Sequence, residues 1–199
     1  MIVFSKFAVA VVAVLAVSAC GNGNNANADI DPSSDVVMRW DHRPESDIWT
    51  KATLKAISDN GSVLTELTPR DIEKWCPAYI ENDQEQRALF WSGLASALAK
   101  HESTWNPKAV GGGGRWIGLV QIAPATARNY GCNATSVADL KVGKSNLSCA
   151  MKIWSTTVTR DGVVADNFRG VAADWGPFHN RKKREDMRAW TNAQSYCTT

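Results

Sequence analysis

Glu102 is the residue of this chain whose type and position best suit acid catalysis. It ends residues 83–102, a segment in which apolar side chains such as Trp91 and Leu98 recur three and four positions apart, as they do along one face of a helix. Because successive helical residues are rotated by about 100°, Glu102 falls on that apolar face. Burial and the negative end of the helix dipole both disfavour an anion there, so we expect a raised pKa for Glu102. A carboxyl group that keeps its proton can protonate the leaving oxygen of a glycosidic bond.

Residues 108–117 (KAVGGGGRWI) lead from this helix to a second short helical segment. Four consecutive glycines have no side chains to pack and much backbone freedom, so they do not belong inside a helix or strand. A phosphate-binding loop is excluded because neither Gly-Lys-Ser nor Gly-Lys-Thr follows them. We expect the run to form a lip over a cleft.

The residues on both sides of this run carry a recognisable signature. Residues 102–107 read ESTWNP, and residues 118–127 read GLVQIAPATA. They resemble the catalytic signature of the soluble lytic transglycosylases, lysozyme-like enzymes that cut the glycan strands of bacterial peptidoglycan, with Val120 where that family usually has methionine. The resemblance implies a lysozyme-like fold, a general acid at Glu102, and substrate-bordering roles for Ser103 and Gln121.

The number of carboxylates bears on the reaction. Most glycosidases place two carboxylates across the scissile bond, yet residues 103–128 contain no Asp or Glu, and Asp174 is the best-placed distant acid. The resemblance implies that one acid suffices. Glu102 would protonate the oxygen leaving C1 of N-acetylmuramic acid, then accept the proton of the C6 hydroxyl as it closes onto C1, leaving a 1,6-anhydromuramoyl end. A hydrolytic muramidase similar to the goose-type lysozymes is one alternative, and a non-catalytic peptidoglycan-binding lipoprotein is another.

Aromatic side chains at the surface are candidates for stacking against sugar rings. The chain has nine Trp, five Phe and three Tyr, and most should be buried because that is the usual role of large aromatic side chains. We expect Trp91 in the core, and Trp116 and Trp175 at the surface. Tyr130, at the end of the helix after the glycine run, is a further candidate for substrate contact.

Residues 171–177 (VAADWGP) stand where the family usually has Ala-Tyr-Asn-Ala-Gly. An ungapped alignment puts Ala173 at the tyrosine and Asp174 at the asparagine. Either Trp175 takes over the packing role of that tyrosine, or the site differs here. Asp174 and Trp175 are both candidate substrate-binding residues, and Asp174 equally fits a helix cap or a surface position.

Residues 1–19 have the pattern of a secretory signal peptide, with a lysine, a nearly unbroken apolar run and small residues before Cys20,. The sequence VSAC at this break resembles the bacterial lipobox, which implies a lipid on Cys20; a plain signal peptide with an incidental cysteine is the alternative. Because Gly21 follows rather than Asp, we expect an outer-membrane anchor facing the periplasm, assuming a Gram-negative host. Residues 20–35 are rich in Asn, Gly, Ala and Ser. They are interpreted as the lipidated Cys20 followed by a flexible tether.

Four cysteines remain, and in an exported chain they indicate two disulfides with three possible pairings. Cys132 and Cys149 are the closest pair, which would leave Cys76 with Cys197. The cysteines lack the spacing of a metal site. The three histidines are scattered along the chain, at His42, His101 and His179. We therefore expect no metal and no cofactor.

The remaining residues 36–199 are enough for one domain with its own core. Helices are predicted over residues 47–58, from Thr68 onward, and over residues 83–102, 146–159, 163–175 and 184–193. No segment shows sustained alternation of period two, so we predict a mainly α, lysozyme-like single domain.

The charge of the chain argues against a nucleic-acid partner. The formal net charge is only +2, and export separates the protein from nucleic acid. The basic run at residues 181–184 (RKKR) is interpreted as a solvated loop, or as a segment that attracts anionic wall polymer or lipid head groups. We expect a monomer whose partners are peptidoglycan strands and, through the lipid at Cys20, a membrane.

Overall fold

The computed structural model describes residues 36–60 and 62–198, together with Met1. The predicted signal peptide, the lipidation site at Cys20 and the tether lie outside the described residues. From residue 36 onward the described residues belong to one compact unit. No helix within them is long and apolar enough to cross a bilayer.

The described part of the chain is built mainly from helices. These are α1 (Ser46–Asp59), α2 (Val63–Glu66), α3 (Gln84–Ser103), α4 (Pro124–Asn129), α5 (Val137–Leu140), α6 (Gly143–Asp161) and α7 (Arg181–Asn192). Two short antiparallel hairpins pair β1 (Val110–Gly111) with β2 (Trp116–Ile117), and β3 (Ala165–Asp166) with β4 (Arg169–Gly170). The prediction of a mainly α single domain is confirmed, although neither hairpin was predicted.

Helix α3 is the centre of the domain. It begins with a capping box, in which Asp83 accepts a hydrogen bond from the backbone of Gln86 and the Gln86 side chain accepts one from Asp83,. All of residues 90–99 are buried, so the helix is enclosed on every side rather than covered on one face. Gly93 allows this close packing, because a Cβ there would overlap the hydroxyl of Tyr196.

A chain of indole rings connects α3 to the segment at residues 171–177. Trp91 of α3 meets Trp154 of α6 with ring centroids 6.1 Å apart, and Trp154 meets Trp175 at 5.9 Å. Both contacts are edge-to-face, the arrangement that aromatic rings favour. The predicted core position of Trp91 is confirmed, since it is fully buried.

Both predicted disulfides are present. Cys132 is bonded to Cys149, and Cys76 to Cys197 across a sequence separation of 121 residues. The longer link ties the C-terminal tail to the segment that precedes α3. Closing so long a loop removes conformational freedom from the unfolded chain and stabilises the fold.

Two predicted helices are wrong. No α-helix starts at Thr68; only 3-10 turns follow, at Ile72–Lys74 and Pro77–Ile80. Pro77 has no N–H to donate, so it cannot continue a helix from the first turn. Residues 163–175 form the β3–β4 hairpin and a 3-10 turn, not a helix. The reason lies in Asp71, whose carboxylate accepts hydrogen bonds from the backbone N–H groups of residues 164 and 165 at 2.6 and 3.1 Å.

The basic run at residues 181–184 is also not a loop. It forms the first turn of α7, where Asn180 caps the helix by accepting a hydrogen bond from the backbone N–H of Lys183 at 3.1 Å,. This places the Lys183 side chain against the end of α3, where its Nζ lies 3.5 Å from the carbonyl oxygen of His101.

Candidate active site

Glu102 lies in the last turn of α3, and the chain reverses direction directly after it. Thr104 and Trp105 both have left-handed backbones, with φ of +51° and +55°. Two such residues in succession, neither of them glycine, are uncommon and are often found at functional sites. The indole of Trp105 holds the reversal by donating to the carbonyl oxygen of Ser96 at 2.9 Å. The Glu102 side chain at this reversal is half-buried, so solvent and substrate can reach it.

Burial raises the pKa of Glu102 from its ordinary 4.5 to about 7, and the positive charge of Lys183 opposes the increase. Among the described residues, Lys183 is the charged group that acts on this carboxyl, and no second carboxylate does. Glu102 therefore keeps its proton at mildly acidic pH and can lose it near neutrality. That behaviour suits a group that must serve as an acid and then as a base.

Asp186 of α7 fixes the end of α3 beside Glu102. Its carboxylate accepts two hydrogen bonds from Arg39, at 2.7 and 3.0 Å, and others from Lys100 at 3.1 Å and His101 at 2.7 Å. The Arg39 guanidinium is the main cause of a lowered pKa at Asp186. Burial lowers the pKa of His101, although Asp186 opposes this effect. Sequence reasoning missed this cluster, because its members are up to 147 residues apart and share no local pattern.

Gln121 stabilises the loop that follows the glycine run. It lies in the glutamine turn (residues 118–122) with φ of +53°, and its side-chain nitrogen donates to the carbonyl oxygens of Gly118 at 2.8 Å and Ala109 at 3.3 Å. The side-chain oxygen lies against Gly111, where any Cβ would overlap it. Gln121 therefore joins the glutamine turn to the β1–β2 hairpin while remaining half-buried.

Trp116 is exposed, as predicted, with 45% of its surface accessible. Its ring packs over Gly112, which has φ of +54° and no room for a Cβ. The guanidinium of Arg115 lies 5.0 Å from the ring centroid. The glycine run thus forms the turn of the β1–β2 hairpin, and strand β2 of this hairpin carries the exposed indole ring of Trp116.

The predicted surface position of Trp175 is wrong, because only 4% of this residue is exposed. Its indole N–H donates to the carbonyl oxygen of Val120 at 2.7 Å, and its ring packs on Trp154. A buried indole whose N–H has a partner is well satisfied in a core. Trp175 thus supports the glutamine turn from behind, and its face is not available to a sugar ring.

Tyr130 and Asp174, the other candidate substrate residues, contact each other. The hydroxyl of Tyr130 donates to Asp174 at 3.0 Å, and partial burial together with that carboxylate raises the pKa of Tyr130. Ser103 donates to the carbonyl oxygen of Ala99 at 3.3 Å. In the described part of the chain, none of these three side chains is hydrogen-bonded to the carboxyl of Glu102. The same part holds no group of three or more His, Cys, Asp or Glu side chains arranged for a metal ion.

Comparison with known proteins agrees with this geometry. Residues 79–185 match the family SLT, the Transglycosylase SLT domain. No curated protein matches the sequence significantly. Among solved structures, the chain is similar to Bd0314 DslA from Bdellovibrio. Two of its Glu-to-Gln mutants are 24% and 25% identical, each with a TM-score of 0.75, and its wild-type form 2 is 25% identical with a TM-score of 0.73.

All three alignments cover 82% of this chain and 99% of the other. The family match spans more than half of the chain and includes Glu102, its signature and the glutamine turn. The protein therefore belongs to the SLT transglycosylase family, whose domain acts in the cleavage of peptidoglycan.

Proposed function

We propose that the protein is a lytic transglycosylase that cleaves the β-1,4 bond between N-acetylmuramic acid and N-acetylglucosamine and leaves 1,6-anhydromuramoyl ends. The observation that carries the proposal is Glu102 itself. It is a half-buried carboxyl group with a pKa of about 7, and no second carboxylate in the described residues acts on it. Two-carboxylate glycosidases pair such an acid with a second carboxylate, and residues 103–128, which follow Glu102, contain no Asp or Glu that could supply one.

In the first step Glu102 is an acid. Its proton passes to the oxygen that links the two sugars while the bond from that oxygen to C1 of N-acetylmuramic acid breaks. The acetamido group of the same sugar stabilises the positive charge that develops at C1. Glu102 is then a carboxylate, and the ammonium group of Lys183 is the cation that favours this charged form,.

In the second step Glu102 is a base. It takes the proton of the C6 hydroxyl as that oxygen bonds to C1, which closes the anhydro ring and returns Glu102 to its starting protonated form. No water is consumed. The exposed Trp116 ring is suited to stack on a sugar, while Ser103, Gln121 and the Tyr130–Asp174 pair border the substrate.

The products of purified peptidoglycan sacculi test this proposal. We expect fragments that lack one water relative to hydrolysis products and have no borohydride-reducible muramic acid, and we expect the Glu102→Gln variant to yield none of them. Mainly reducible ends would instead identify a hydrolytic muramidase. Binding of sacculi without any cleavage by the unmodified protein would identify a non-catalytic binding protein.

For the rest of the chain we propose the organisation that its sequence favours. Residues 1–19 are a lipoprotein signal peptide, Cys20 carries the lipid, residues 20–35 are a tether, and residues 36–199 are the catalytic domain. The pattern at Cys20 supports attachment to the outer membrane on its periplasmic side in a Gram-negative host. The protein acts there as a monomer, within reach of the peptidoglycan layer.

A further inference from the structure

A cavity of about 360 Å³ lies between the β3–β4 hairpin and α7. The hairpin contributes Phe168, α7 contributes Arg184 and Arg188, and Lys74 and His179 also line the wall. None of these side chains takes part in the reaction proposed above. The cavity is thus a separate feature with its own chemistry, cationic and aromatic at once.

Phe168 is the unusual residue of this wall. It is 71% exposed. It follows Asn167 in a tight turn in which Asn167 has φ of +45° and Phe168 has φ of +63°. Successive positive φ angles suit Asn or Gly in a hairpin turn, whereas a bulky aromatic residue rarely adopts them. Neither burial nor backbone preference accounts for phenylalanine here. Its ring stacks on that of His179, with centroids 3.9 Å apart and an angle of 25° between planes, so a flat apolar face is held beside the cavity.

The wall also has more positive than negative charge. Its acid, Asp166, is already paired with an arginine of the hairpin at 3.3 Å, and Glu185 is shared by Arg184 and Arg188 at 3.2 and 3.1 Å. Arg188 is also stacked over Trp75, with its guanidinium carbon 4.6 Å from the ring centroid. Within residues 36–60 and 62–198, Lys74 is therefore the lysine or arginine of the wall that forms no ion pair. A free ammonium group beside an exposed ring suits a ligand that has both a carboxylate and an apolar part.

We propose that this cavity is an accessory site for the stem peptides of peptidoglycan. Phe168 and His179 contact an apolar part of the peptide, while Lys74 binds one of its free carboxylates. The site rests on the proposed function, because it takes peptidoglycan as the substrate. Free carboxylates in this polymer belong to the stem peptides, whereas the sugars of the strand are largely uncharged. Helix α7 connects the cavity to the catalytic site, since Lys183, beside Glu102, directly precedes a residue of the wall.

Binding to glycan strands with and without peptides tests the site. The full chain is prepared with Glu102→Gln so that strands are not cut, and dissociation constants are measured for soluble strands before and after an amidase removes their peptides. The amidase leaves a lactyl carboxylate on each muramic acid, so the comparison separates binding of the peptide from binding of any carboxylate. We expect tighter binding of the peptide-bearing strands. Phe168→Ala should weaken that binding about five-fold, and Lys74→Gln about two- to five-fold, with bare strands unaffected. Ile48→Ala, which removes a 57% exposed apolar side chain from α1, is the matched control and should change neither value.

Equal affinity for the two kinds of strand would overturn the site, as would an equal effect of Phe168→Ala on both. Competition by inorganic phosphate as strong as by a free stem peptide, at constant ionic strength, would show only a general anion surface and would also overturn it. The two proposals fail differently. Reducible products combined with peptide-dependent binding would contradict the proposed reaction alone, and anhydro products without any peptide preference would contradict the site alone.

Discussion

Replacing Glu102 with glutamine should remove activity and, near neutral pH, should make the domain more stable. The folded-state pKa of Glu102 is raised from 4.5 to about 7, so the folded protein binds the proton more tightly than the unfolded chain does. This stabilisation is complete below pH 4.5 and is lost as the pH rises through about 7,. Glutamine has a similar shape and no charge, so its contribution does not change over this range.

The size of the effect follows from the two pKa values. The full shift corresponds to about 1 kcal/mol at pH 5 and about 3 kcal/mol at pH 7 in favour of the glutamine variant. Because the carboxyl is only half-buried, solvent screening reduces these values, and we expect about 2 kcal/mol at pH 7. In a domain of this size that difference raises the melting temperature by about 4 to 8 °C.

Thermal melts of the two proteins between pH 4.5 and 7.5 measure this difference in stability. The curves should coincide at the acidic end and separate steadily toward neutral pH, with the glutamine variant higher. Glu81→Gln, at an exposed glutamate, controls for the loss of one negative charge and should show no growing separation. Parallel curves for Glu102→Gln would refute the view that burial holds the proton on this acid. Cleavage should also fall by a factor of about 10² or more, as expected when a general acid–base is lost.

Three further changes test other parts of the structure. Lys183→Met removes the cation that favours the charged form of Glu102, so the alkaline limb of the kcat/KM profile should move to higher pH,. The control Lys182→Met, at an exposed neighbouring residue, should not move that limb. Trp175→Phe breaks the hydrogen bond to the glutamine turn. It should lower the unfolding free energy by about 1 to 2 kcal/mol more than Trp154→Phe does, because the buried indole N–H of Trp154 has no partner in the described residues. Cys20→Ala should abolish labelling by a radioactive fatty acid and release the protein from membranes.

Each of these has an outcome that contradicts it. Identical shifts for the two lysine variants would mean that general surface charge, not Lys183, acts on the acid. Melting and cleavage assays compare the two tryptophan variants. Equal losses of stability and activity would show that the hydrogen bond from Trp175 to Val120 has no special role. Unchanged fatty-acid labelling of the Cys20 variant would disprove the lipoprotein assignment.

The sequence by itself determined the features that depend on local spacing. Apolar periodicity located α3 to within a residue at each end, and the position of Glu102 in that pattern indicated a carboxyl with a raised pKa. The signature at residues 102–107 and 118–127 indicated the family. Cysteine spacing favoured the disulfide pairs that the structure contains. These inferences succeeded because helix phase, caps and short motifs are written in neighbouring residues.

Only the tertiary structure decided the features that depend on partners distant in the chain. Asp71 directs the segment at residues 163–175 into a hairpin rather than a helix, and its bonds to that segment span 93 and 94 residues. Trp175 is buried because Trp154 and the glutamine turn enclose it. Lys183 reaches the end of α3 only because α7 packs beside it. A side chain's burial and charge environment are set by what packs against it, and no local pattern in the sequence specifies those partners.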